Sequence, residues 1–146
     1  MTEYIMPCVY AFMACAGFCV MFNLKNPKIA ATACAGGAIA WMAYLLSAPY
    51  GNDIFQNFMA AIAAAAFSEL MARVFKTPAT VFLIIGILPM VPGGGIYYTM
   101  EYCIKGNTAM FIEQGLHTLA VAGAIAVGVS LVSSAVRAYT VYKSYK

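Results

Sequence analysis

Apolar residues fall into five long runs along this chain, and the polar residues gather in the short gaps between them. Tyr4 to Phe22 is the first run, Ile29 to Ala48 the second, Ile54 to about Phe75 the third and Ala109 to about Val136 the fifth. The fourth lies at 78–104 and is interrupted near 92–95. A helix needs roughly 20 apolar residues to cross a hydrocarbon core. The pattern therefore predicts an all-α integral membrane protein with five transmembrane helices in a single domain over 1–146. Asn23–Lys28, Pro49–Asp53 and Lys105–Thr108 read as tight turns. Pro7 falls in the opening turn expected for the first span, where proline is tolerated. Asn52 or Asp53 stands where a cap for the third helix is needed.

The fourth run carries the chemistry. Thr77 to Met100 contains no charge, yet it holds Pro89, Pro92 and the triplet Gly93, Gly94, Gly95. Proline removes an amide donor and clashes with the preceding turn, and glycine loosens the helix that remains. Irregular backbone at membrane depth survives only inside protein or along a cavity. The expectation is a helix from Thr80 to about Met90, a glycine kink, and a half-helix from about Ile96. The start of such a half-helix presents unpaired amides at the positive end of the helix dipole. Gly93, Gly94, Gly95 and Ile96 are then candidates to hold a substrate carboxylate on their amides, as discontinuous helices do in transporters. Tyr97 and Thr99 are candidates to add hydroxyls, and Thr80 less so because it lies deeper. Glycines that only allow close packing or a hinge are the competing explanation, and the residues alone leave both open.

Pro78, Ala79, Thr80, Phe82, Gly86, Pro89, Val91, Pro92, Gly93, Gly94, Tyr97 and Met100 together resemble the signature of the threonine/serine exporter (ThrE) family. The likeness is greatest to the small membrane protein that matches the C-terminal half of the fused exporters. Ile85 departs from the pattern, standing where a second proline is expected before Gly86, and implies a milder bend in the first half-helix. The resemblance implies export of small carboxylate-bearing metabolites, threonine and serine or C4-dicarboxylates such as succinate, across a bacterial inner membrane. It also implies a larger membrane subunit as partner.

Only 9% of the 146 residues are charged, against roughly 25% in soluble domains. The formal charge of +3 is spread at span ends, so it makes no nucleic-acid patch. Cys8, Cys15, Cys19, Cys34 and Cys103 show no metal-ligand spacing. Four of them lie in apolar runs, where free cysteine acts as a small hydrophobe. No cofactor or metal is expected. The N-terminus lacks the basic region of a signal peptide, so the first run reads as a retained span.

The basic residues orient the spans. With five crossings Lys25, Lys28, Arg73, Lys76, Arg137, Lys143 and Lys146 share one side, and Lys105 stands alone on the other. The positive-inside rule makes the first side cytoplasmic, with the N-terminus outside. Tyr139, Tyr142 and Tyr145 suit the inner interface, and Tyr50, Tyr97, Tyr98 and Tyr102 the outer one. Small residues at four-residue spacing mark packing faces: Ala33/Gly37 and Gly36/Ala40, Ala60 to Ala66, and Ala120/Ala124/Gly128. A chain this short hardly encloses a path alone, so an oligomer or a larger partner is expected.

A few polar residues lie within the runs. Glu69 and Arg73, spaced i, i+4, read as a local ion pair or as a gate or substrate contact near the inner mouth. Glu113 and the single histidine, His117, are spaced the same way beside Gln114. They read as an interfacial cap or as a carboxylate–imidazole pair for proton coupling, since histidine titrates near neutrality. Glu101 reads as water-facing, with gating as its functional alternative. Ser130, Ser133 and Ser134 read as bonding to their own helix or across a helix interface. No nucleophile–base pair or cofactor motif points to an enzyme. A structural subunit whose partner holds the substrate site is the remaining alternative to a transporter.

Overall fold

The computed structural model describes residues 2–144. They form helices and short connections, with no strand among the described residues. The helices are α1 (Thr2–Met21), α2 (Pro27–Ser47), α3 (Asp53–Phe75), α4 (Ala79–Ile87), α5 (Gly93–Ile104) and α6 (Thr108–Ser144). α2, α3 and α6 are long and apolar enough to cross a membrane, and α4 with α5 makes a fourth if the bent pair is one span. The apolar part of α1, Ile5–Met21, is shorter.

Local chemistry sets the boundaries. Asn26 and Asn52 cap α2 and α3 through their side chains, accepting from the amides of Lys28 and Phe55, which satisfies donors the first turn leaves orphaned. Of the two candidates at α3, Asn52 is thus the cap, and Asp53 is the first helical residue. Pro7 lies inside α1, beyond its opening turn, because α1 already begins at Thr2. α5 ends in a turn in which Gly106 adopts φ +69°, a left-handed conformation that glycine takes without strain. Asn107 then accepts from the Met110 amide at the start of α6. α6 runs 37 residues, about 55 Å at 1.5 Å per residue. It continues as helix well past Val136, where the fifth apolar run ends. The expected interfacial role of Tyr145 and the charge of Lys146 lie outside the described residues.

The break differs from the expected one. α4 is followed by a 3-10 turn, Leu88–Met90, and α5 begins at Gly93, with a bend of 51° between the two parts. The interruption is therefore Val91–Pro92, and the three glycines form the first turn of α5. The prolines do the breaking. Pro89 enters the 3-10 turn and Pro92 stands just before α5 with ψ 60°. Gly93, Gly94 and Gly95 keep negative φ, so the half-helix starts three residues earlier than Ile96.

Small residues let the helices close up. Ala33, Gly36, Gly37 and Ala40 of α2 are buried, as are Ala60, Ala61, Ala64 and Ala65 of α3. A Cβ on Gly37 would stand 2.3 Å from the Cys15 Sγ, and one on Gly86 would stand 3.5 Å from the α2 backbone. Gly128 brings α6 onto α3, 2.9 Å from the Phe58 carbonyl by the same measure. One core cluster gathers Cys15, Cys19, Ala33, Cys34, Phe82 and Ile85, and a second gathers Ala40, Ala60, Ala64 and Met90. In the first, the Cys15 thiol donates to the Ile85 carbonyl at 3.3 Å. The cysteines thus pack and donate weakly.

Candidate functional site

A cavity of about 270 Å³ opens where the break meets α2, α3 and α6. Small-molecule sites usually occupy roughly 300–1,000 Å³, so this one suits a small ligand. The break contributes Pro89 to Pro92 and Gly95; α2 contributes Trp41 and Tyr44; α3 contributes Asp53 and Asn57; α6 contributes Gln114, His117, Thr118 and Val121.

Asp53 is the best-anchored polar group here. Its Oδ1 accepts the Tyr44 hydroxyl at 2.6 Å and the Asn57 amide nitrogen at 3.1 Å. The Asn57 Nδ2 also donates to the Asp53 carbonyl at 2.9 Å. The other carboxylate oxygen, Oδ2, stands 3.7 Å from the His117 Nε2. As the first residue of α3, Asp53 also sits at the positive end of a helix dipole. Both members of the His117–Asp53 pair are more than two-fifths exposed, so the pair is screened and adds little to stability. Trp41 stacks on Tyr44 with ring centroids 5.4 Å apart. Its buried Nε1 has no hydrogen-bond partner among the described residues.

The predicted site residues fall in different places. Gly95 lines the cavity, and a Cβ there would lie 2.5 Å from the Thr118 Oγ1. Gly93 and Gly94 are exposed, and a Cβ on either would meet nothing within 4 Å. Close packing thus accounts for Gly95 but not for the other two. The amides are also unequal. Gly93 N donates to the Val91 carbonyl and Ile96 N to the Pro92 carbonyl. That leaves Gly94 and Gly95 as the amides of the first turn with no backbone acceptor among the described residues. Ile96 and Tyr97 are exposed and outside the cavity, and Tyr97 packs edge-on against Tyr98. The Thr99 hydroxyl donates to the Gly95 carbonyl at 2.7 Å, one turn back on its own helix.

Both expected i, i+4 pairings are replaced. His117 meets Asp53 of α3, and Glu113 is exposed and off the cavity wall. The shared helix put Glu113 near His117 in sequence, but α6 turns the imidazole toward α3. Glu69 and Arg73 form no ion pair within 4 Å among the described residues; Arg73 instead donates to the Thr140 hydroxyl of α6 at 3.5 Å. The two side chains line a separate groove of about 360 Å³ between α3 and α6. Glu101 pairs with the exposed Lys105 at 2.6 Å. Ser130, Ser133 and Ser134 line an exposed groove on α6.

Asp53, Tyr44, Asn57 and Trp41 were not among the residues singled out for function. Asp53 looked like a capping residue, and nothing in its local sequence ties it to His117. A usable signal was there nonetheless. The five crossings expected from the apolar runs would put residue 53 and residue 117 at the same end of the bundle, and few other ionisable groups share it.

Neither a search of curated proteins nor a search of solved structures returns a match. The family model described as "Threonine/Serine exporter, ThrE" matches residues 7–135. That interval runs from within α1 to within α6 and takes in the break and every residue lining the cavity. A multi-pass helical chain that the exporter profile covers over nearly its full length is a membrane transporter of that type: the protein belongs to the threonine/serine exporter (ThrE) family.

Proposed function

We propose that this chain is one subunit of an exporter of small carboxylate-bearing metabolites in a bacterial inner membrane, and that the cavity at the break is its substrate site. One observation carries the reading: the cavity is bounded by the interruption between α4 and α5 and by the polar ends of α3 and α6. A substrate carboxylate fits the amides of Gly94 and Gly95, at the positive end of the α5 dipole. Backbone recognition of this kind makes a membrane-buried arginine unnecessary. Threonine and serine, or C4-dicarboxylates, are the substrate classes. The chain works as one transmembrane domain of five crossings beside a larger membrane subunit. Its N-terminus lies outside and its C-terminus in the cytoplasm, with Lys25, Lys28, Arg73, Lys76, Arg137 and Lys143 inside. This orientation places the cavity in the outer half of the membrane.

The test is efflux of labelled threonine, serine and succinate from vesicles holding the complex purified from membranes. The expected result is saturable efflux of at least one of them, lost in Gly95→Leu. Gly95→Leu carrying all three solutes as well as wild type would place the path elsewhere. A larger multi-span protein co-purifying with the chain supports the two-chain arrangement, and a homo-oligomer alone argues against it. A C-terminal reporter active only outside the cytoplasm would reverse the topology.

The structural-subunit reading draws on α5, which has no buried residue and exposes Ile96, Tyr97, Tyr98, Met100 and Ile104. Under that reading Gly94→Leu lowers assembly and transport together. Under the substrate-site reading it lowers transport alone.

A further inference from the structure

We propose that Asp53 is a binding site for a primary ammonium group, and that protonated His117 competes with that group for the same carboxylate oxygen. The proposal rests on the cavity being the substrate site and adds to it the charge that the site selects.

The geometry divides the carboxylate into a used and an unused half. Oδ1 is occupied by Tyr44 at 2.6 Å and Asn57 at 3.1 Å, donors from two different helices. They hold the group in one orientation, and Asn57 is itself only 6% exposed. Oδ2 has His117 Nε2 at 3.7 Å, beyond hydrogen-bond length. An ionised carboxylate offers about four acceptor positions. Oδ2 therefore keeps open capacity toward the cavity, and it asks for a cationic donor.

The surroundings leave the charge unanswered. From α2 the titratable group facing Asp53 is Tyr44, from α6 it is His117, and the break segment brings none. Glu113 lies on α6 outside the cavity, and Glu101 and Lys105 of α5 are engaged with each other. With His117 neutral, the cavity holds one negative charge. A ligand with only carboxylates meets repulsion there. A ligand with an ammonium at one end and a carboxylate at the other is complementary, the ammonium on Oδ2 and the carboxylate on the free amides of Gly94 and Gly95. When His117 takes a proton from outer-side water, the imidazolium and the ammonium seek the same oxygen, and one displaces the other. Proton binding then favours ammonium release on the side where the proton arrives.

Equilibrium binding to the full chain, purified from membranes with any subunit that accompanies it, tests this. The probe is labelled L-threonine, with 1-amino-2-propanol (no carboxylate), 3-hydroxybutyrate (no amine) and succinate as competitors. Threonine is expected to bind about tenfold or more tighter than 3-hydroxybutyrate or succinate, the scale of one charge-assisted contact. Asp53→Asn keeps an Oδ1 for Tyr44, and it is expected to remove that preference by weakening threonine while 3-hydroxybutyrate, relieved of the Asp53 charge, binds at least as tightly as to wild type. Between pH 8 and 5.5 wild-type affinity for threonine is expected to fall, and His117→Gln to show no such fall. Succinate or 3-hydroxybutyrate binding as tightly as threonine to wild type overturns the ammonium site while leaving the cavity reading intact, and it needs no variant to fold. An equal loss of every ligand in Asp53→Asn, or an unchanged acid response in His117→Gln, overturns it as well. Wild type that binds none of the four refutes the cavity reading and this proposal together.

Discussion

The two halves of the interrupted segment are neighbours in sequence and opposites in environment. α4 is clasped by α1, α2 and α3, with Phe82 and Ile85 almost fully buried and Gly86 against the α2 backbone. α5 rests mainly on α6 and has no buried residue. Both are short, and α5 is the more polar, carrying Thr99, Glu101 and three tyrosines. The bend of 51° at Val91–Pro92 adds to this by carrying α5 away from the core that holds α4. One half anchors the segment and the other is lightly held beside the cavity.

Substitution at matched glycines should separate α4 from α5 most strongly. Gly86→Val drives methyl groups into the backbone of α2, which cannot yield, and overpacking of this kind costs about 1–3 kcal/mol. A large drop in melting temperature and in membrane-inserted protein is expected. Gly94→Val places its side chain in open space, and a melting temperature within a degree or two of wild type is expected. Equal destabilisation by the two would mean that α4 and α5 are held alike.

Gly95→Val should fall between them. Its Cβ meets the Thr118 Oγ1, the end of a small side chain, so α5 shifts off α6 without disrupting the core. Transport is expected to fall about tenfold or more, since misplacement near a site by an ångström is that costly, with only modest loss of stability. Wild-type transport would show that the contact between α5 and α6 is idle.

Thiol chemistry gives a smaller, cleaner reading. Cys103 of α5 is exposed, and Cys15, Cys19 and Cys34 are buried among α1, α2 and α4. An impermeant maleimide added outside is expected to label Cys103 in the folded protein and the other three only after denaturation. Labelling of Cys15 at a similar rate would open the core that the comparison treats as closed.

The least effect is expected from the ion pair at the end of α5. The Glu101 hydrogen bond and charge push the Lys105 pKa above its ordinary 10.5. A raised basic pKa contributes stability that is complete below the ordinary value and is lost as pH climbs through the folded one. Thermal stability should therefore be flat from pH 6 to 9 as far as this pair is concerned, and Glu101→Gln should run parallel to wild type and only slightly below it there, since the pair is solvent-screened. A difference between the two that changes with pH in this range would mean that Glu101 has another partner.

Much was legible in the chain because it depends on local chemistry. Five apolar runs, the caps at Asn52 and the turn at Gly106, and the small-residue faces around Gly37 and Gly128 all follow from period, propensity and side-chain volume. So does the existence of an interruption, since Pro89 and Pro92 forbid a continuous helix whatever surrounds them. Its position was read three residues late because glycine was given the role that proline plays. The first turn of a helix has no amide acceptors to lose, so glycines sit there freely.

Spatial pairing was decided only by the tertiary structure. A helix makes i, i+4 neighbours the natural guess, which joins Glu113 to His117 and Glu69 to Arg73. The rotation of α6 against α3, set by Gly128 on the α3 backbone and by the packing of Ala61 beneath it, turns His117 toward Asp53 and brings Thr140 to Arg73. No local propensity encodes that rotation; it comes from how side-chain volumes of two helices fit over their whole length. The same fit gathers Tyr44, Asp53, Asn57 and Gly95 around one cavity from three separate helices, and so puts an aspartate of the α3 capping region on the cavity wall.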